Sequence, residues 1–81
     1  MKTMTIRLNT IDDANNFVKV IDKYEYDIDA VYGRYVIDAK SIIGLLSLGI
    51  PKKINIVIHS NNSNIIKQIT SDISEWIVEG E

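Results

Sequence analysis

"YVIDAKSIIGLLSLGIP", Tyr35 to Pro51, changes its period in the middle. Tyr35, Ile37 and Ala39 recur at every second position, which is the spacing of a strand. From Ser41 onward the apolar residues crowd together, and the alternation is gone. Ser41 is a good helix N-cap, because its hydroxyl can accept from an amide one turn inside the helix. Gly49, just before Ile50-Pro51, is a good stop. The helix between them is therefore short, about two turns. A strand that hands over so abruptly to a short apolar helix sets the grammar for the rest of the chain.

Working outward, Ile28, Ala30 and Tyr32 alternate on the other side of a turn at Gly33, so the strand has a hairpin partner. Near the start of the chain, Met4, Ile6 and Leu8 alternate with Thr5 and Arg7. The stretch "TIDDANNFVKVIDKY" then places Ala14, Phe17, Val18 and Ile21 at helical spacing. Thr10 followed three residues later by Asp13 predicts an N-cap with an acidic group at N3. Downstream, Ile54, Ile56 and Ile58 make another strand. Asn61-Asn62-Ser63 caps a last helix whose apolar face is Ile65, Ile66, Ile69, Ile73, Trp76 and Ile77.

The order is strand, helix, strand, strand, helix, strand, helix. Strands that alternate on one face need cover on that face only. The expected fold is α+β: an open-faced sandwich with a four-stranded antiparallel sheet and three helices on one face, in β-α-β-β-α-β-α order, as one domain over residues 1–81.

Composition narrows the class. The chain has 81 residues, 46% of them hydrophobic and 25% charged, enough for one compact core and well above the disordered range. It has no cysteine, which removes thiol nucleophiles, thiolate metal sites and disulfides and suits a cytoplasmic address. The start, "MKTMTIRLNT", lacks the apolar run of a signal peptide, and no stretch approaches a membrane span. Nine basic residues are scattered and the net charge is −2, so direct nucleic-acid binding is not expected. Sixteen isoleucines against three alanines hint at an AT-rich, bacterial coding sequence.

The run "KSIIGLLSLGI", Lys40 to Ile50, resembles the signature around the regulatory serine of HPr, the phosphocarrier family of the bacterial sugar phosphotransferase system. The likeness continues through "DKYEYDIDAVYGRYVIDAKS" and, by order of elements, across essentially the whole chain. The family has a second signature, Gly-(Ile/Leu)-His-Ala-Arg-Pro-Ala, whose histidine carries the phosphoryl group. Counted back without gaps from Ser41, that run falls on "LNTIDDA", Leu8 to Ala14. Thr10 stands at the histidine, Asp12 at the arginine and Asp13 at the proline; only Ala14 agrees.

A phosphohistidine carrier needs an imidazole nitrogen at a helix N-terminus, with amides and a guanidinium to hold the phosphoryl group. Threonine offers no comparable nucleophile near pH 7, and two carboxylates repel an incoming phosphate. The one histidine, His59, follows the last strand, and the resemblance does not connect it to the carrier position. Carrier chemistry by the family route is therefore not expected. Asp12 and Asp13 have no third ligand or base in sight and read as a capping and dipole device. No metal, cofactor or catalytic role is expected.

What the resemblance preserves is Ser41. In the family this serine is the target of HPr kinase, and the phosphorylated form binds a catabolite-control transcription regulator. The Crh-like branch, which lacks the carrier histidine, works in catabolite repression alone. Phosphate here would add about −1.5 to −2 charges at a helix start beside Lys40. The resemblance also implies that Ile42, Ile43 and Leu46 are exposed as a partner-binding patch, with Leu45 and Leu48 inside. A monomer or weak dimer is expected. Two readings stay open: a regulatory module switched at Ser41, or a diverged HPr-fold scaffold that binds constitutively and uses Ser41 only as a cap.

Overall fold

A computed structural model describes residues 1–78. Its elements are β1 (Lys2–Leu8), α1 (Ile11–Asp22), β2 (Ile28–Tyr32), β3 (Tyr35–Asp38), α2 (Ile42–Ser47), β4 (Lys52–Ile58) and α3 (Ser63–Asp72), followed by a 3-10 turn over Ser74–Trp76. The four strands form one antiparallel sheet in the order β1-β4-β2-β3. This is the open-faced α+β arrangement that the sequence predicts.

Register explains the layering. Ile6 lies opposite Ile54, Ile28 opposite Ile58, and Ala30 opposite Ile56, so one face of the sheet is continuous hydrocarbon. All of these side chains are buried. The intervening residues Thr3, Arg7, Lys53 and Asn55 are exposed on the other face. Slipping any strand by one residue would swap the two sets, so the isoleucine pattern fixes the pairing. Ala14, Phe17 and Ile21 of α1 and Ile69 and Ile73 of the last helical segment close the core from above. Phe17 and Trp76 meet edge to face, with ring centroids 5.6 Å apart and planes at 88°.

The structure departs from the sequence pattern in two places. The last helix does not run to Ile77: α3 ends at Asp72, Ile73 caps it, and Trp76 reaches the core from the 3-10 turn. Burial of Ile73 and Trp76 is served equally by either helix type, because both put i and i+3 on one side. Backbone pairing decides the matter. Ile77 turns extended and bridges Ile6, and the Val78 amide donates to the Thr5 carbonyl at 3.0 Å, which occupies the outer edge of β1. The second departure is at the hairpin tip, where Tyr32 and Tyr35 are exposed despite their in-phase spacing. The Lys52 ammonium lies 4.2 Å from the centre of the Tyr32 ring.

Candidate functional site

The segment that leads into α2 is tightly specified. The Ala39 amide donates to the Ile28 carbonyl at 2.8 Å and its side chain is fully buried, so the end of the hairpin is pinned to the core. The chain then turns: the Ser41 amide donates to the Asp38 carbonyl (3.0 Å) and the Lys40 amide to the Asp38 carboxylate (2.9 Å). Ser41 arrives extended, with φ −96° and ψ 108°, and its hydroxyl accepts from the Gly44 amide at 3.2 Å. This satisfies one of the amides that a helix start leaves open.

Gly44 is there for space. A Cβ at this position would stand 3.1 Å from Cδ1 of Ile37 and 3.3 Å from the Ser41 hydroxyl, so the residue lets α2 lie close against β3. At the other end, Gly49 takes φ +86°, a conformation that favours glycine, and the Lys52 ammonium donates to the Leu48 carbonyl at 2.7 Å. Leu45 is buried and Leu48 half-buried. Ile43 is 79% exposed and Leu46 36% exposed. Ile42, expected in the exposed patch, is half-buried and packs against the core, because a six-residue helix lying flat on β3 and α1 turns its first residue inward. The Lys40 ammonium, expected beside Ser41, donates to the Tyr24 carbonyl just beyond the end of α1.

The start of α1, where the resemblance places the carrier position, is capped by side chains. Thr10 caps α1, its hydroxyl accepting from the Asp13 amide at 3.0 Å, and the Asp13 carboxylate accepts from the Asn9 amide at 3.0 Å. Arg7 donates to the Asn9 side chain at 2.7 Å. One helical amide and the amide preceding the cap are thus taken reciprocally, in a variant of the capping box. Asp12 is exposed beside it.

His59 lies elsewhere. Leu8 pairs with Lys52 and Lys2 with Ile58, so the residue after β4 sits about 26 Å along the sheet from the residue after β1. There the His59 ring is 2.8 Å from the Asp29 carboxylate, and its amide donates to the Asp27 carbonyl. Among the described residues, no group of three His, Cys, Asp or Glu side chains could hold a metal, and no helix is long and apolar enough to cross a membrane.

One cluster escaped the sequence reading. The Tyr24 hydroxyl donates to Asp72, and Lys23 pairs with the same carboxylate at 3.1 Å, which ties the end of α1 to the end of α3. Tyr24 is pushed up to about 12, first by burial and then by the hydrogen bond to Asp72 and its charge. Asp72 is held below the usual carboxylate range by the Tyr24 hydroxyl and then by Lys23. The partners are 48 residues apart, and no local pattern announces them.

A family model described as the PTS HPr component phosphorylation site matches residues 11–74, a span that begins one residue after Thr10 and includes Ser41. Among solved structures, the crystal structure of HPr-C-His from Thermoanaerobacter tengcongensis is similar, with a TM-score of 0.72 and 24% identity over 93% of each chain. At that identity the likeness speaks for the fold. No curated protein matches. With the family model covering most of the chain and the sheet and helices in the same arrangement, the chain belongs to the HPr family of the phosphotransferase system, whose members are phosphocarriers rather than catalysts.

Proposed function

We propose that the chain is a regulatory HPr-family protein of carbon catabolite control in the bacterial cytoplasm. Its affinity for a protein partner is switched by phosphorylation of Ser41, and it does not carry phosphohistidine. The observation that carries this reading is the juxtaposition of a capping serine with exposed apolar side chains two and five residues further along the same helix. Ser41 holds its hydroxyl at the start of α2, while Ile43 and Leu46 of the same helix face solvent. A phosphate on Ser41 meets open amides at the helix start and leaves the buried face of α2 untouched. The apolar side chains then supply contact energy, and the new charge selects the modified form. Lys40, whose ammonium is held by the Tyr24 carbonyl, and the half-buried Ile42 flank Ser41 in the chain.

Two sequence facts support the absence of carrier activity: threonine at position 10 and carboxylates at positions 12 and 13. The capping pair of Thr10 and Asp13 adds a physical reason, since it holds the Asp13 carboxylate against the backbone just before α1, where its charge opposes an incoming phosphate. The partners that fit are HPr kinase, as the modifying enzyme, and a catabolite-control transcription regulator, as the reader. The deciding experiment is incubation with an HPr kinase and ATP, followed by mass spectrometry of the peptide that contains Ser41. A phosphate there is the expected result. Its absence returns Ser41 to the role of a cap and favours the second reading, a constitutive binding scaffold.

A further inference from the structure

The two edges of the sheet are finished differently. The outer edge of β1 is occupied by Ile77 and Val78. The outer edge of β3 is met, among the described residues, only by the turn that joins Ser41 to the Asp38 carbonyl at its very end. Ala39 donates to its directly opposite neighbour Ile28, which fixes the phase of the ladder. By alternation, Ile37 and Tyr35 also bond inward to β2, and the amide and carbonyl of Val36 point away from the sheet. Val36 is 62% exposed and Tyr35 66% exposed. An edge with outward backbone groups and apolar side chains on both faces is a template for another strand.

The sequence along this edge is complementary to itself. If two copies of β3 run antiparallel about a twofold axis through Val36, each Val36 exchanges both backbone bonds with its counterpart. Tyr35 then faces Ile37 of the second copy on the helix side. Exposed Arg34 faces Asp38 on the open side, and the symmetry makes that ion pair twice. Val31, opposite Val36 within each sheet, continues the apolar row across the junction. Both helix layers stay on the same side. We propose that the protein self-associates through β3 in this register, joining two sheets into one. The contact does not involve Ile43 or Leu46 and meets the Ser41 turn only at Asp38, so Arg34→Asp, which leaves that turn untouched, tests it apart from the phosphorylation reading.

The test is sedimentation of the full chain from micromolar to millimolar concentration. Mass should rise from the 9.2 kDa monomer toward twice that value. Arg34→Asp and Asp38→Arg each place like charges opposite one another in both pairs, and each should weaken self-association by at least about tenfold. Mixed one to one, the two variants regain opposite charges in both pairs and should form a heterodimer close to wild-type affinity. Val36→Pro removes an amide that β2 does not use, so it should abolish the dimer with the far-UV spectrum unchanged. If that variant misfolds, the mixing experiment decides alone. A wild-type chain that stays monomeric, whether its edge is simply solvated or taken by another protein's strand, overturns the proposal. So does a dimer indifferent to the single charge changes, or a mixture that fails to recover.

Discussion

Thr10 and Asp13 close the first helix on itself, the threonine hydroxyl taking the Asp13 amide while the Asp13 carboxylate takes the amide of Asn9. By the likeness to the HPr signature, this is the place where a carrier of the family would receive its phosphoryl group. Here Thr10 offers no imidazole, its hydroxyl already takes one helical amide, and Asp12 and Asp13 bring negative charge to the helix start. Incubation with Enzyme I and phosphoenolpyruvate should accordingly leave the protein unmodified. Thr10→His alone should not restore efficient transfer, because Asp12 and Asp13 remain. A stoichiometric, acid-labile phosphoadduct on either protein, seen by mass spectrometry, would contradict this. Thr10→Ala should instead cost about 1 kcal/mol of stability, the ordinary value of a lost cap.

Packing yields a second expectation. Ile56 sits in the central pair of strands, opposite Met4 on one side and Ala30 on the other, and is fully buried. Ile56→Ala should therefore cost about 2–5 kcal/mol, the transfer term plus a cavity the neighbours only partly fill. That is a large share of the roughly 5–15 kcal/mol that stabilises a typical domain. A urea midpoint unchanged from wild type would mean that the strand's faces are reversed.

These two cases show why some features were legible in the sequence and others were not. Alternation at Ile54, Ile56 and Ile58 and the cap at Thr10 are local patterns, and local sterics and hydrogen bonding enforce them. The inward turn of Ile42 depends on how a short helix lies on β3, which Gly44 and Ile37 settle by contact across the fold. The end of α3 is set by pairing of Ile77 with Ile6, residues at opposite ends of the chain. The Tyr24–Asp72 link is likewise long-range. Periodicity carries no information about which helix ends meet.

That link predicts a pH dependence. Burial, then the hydrogen bond to Asp72 and its charge, push Tyr24 from the ordinary 10.0 up to about 12, so the fold favours the protonated phenol. Its contribution is fully present below pH 10 and is lost as pH rises through 12. Asp72 is lowered, so its contribution is present above the ordinary carboxylate range and is lost on acidification through the folded value. The difference in urea midpoint between wild type and Tyr24→Phe should be steady through neutral pH and shrink at both extremes. A difference that does not change from neutral pH to pH 12 would show that the hydroxyl contributes nothing through Asp72.

The regulatory reading makes the most specific demand, because charge and apolar contact should fail separately. Ser41→Ala should keep the fold, at a cost of about 1 kcal/mol for the lost cap, and abolish phosphate-dependent binding to a catabolite-type regulator. Ile43→Asp should be phosphorylated normally yet bind weakly, since Ile43 is exposed and its loss leaves the core intact. Ile42→Asp is the poorer test, because that side chain also packs against the core and the variant would lose stability as well as contact. Ser41→Asp should mimic the modified form badly, as one carboxylate brings less charge and fewer acceptor oxygens than a phosphate. Added salt should weaken the phosphate-dependent part of the affinity more than the apolar part. Titration calorimetry on the phosphorylated and untreated proteins checks all of this together. If the phosphorylated chain binds no better than the untreated one, or if Ile43→Asp binds as well as wild type, the switch at Ser41 is not how this protein works.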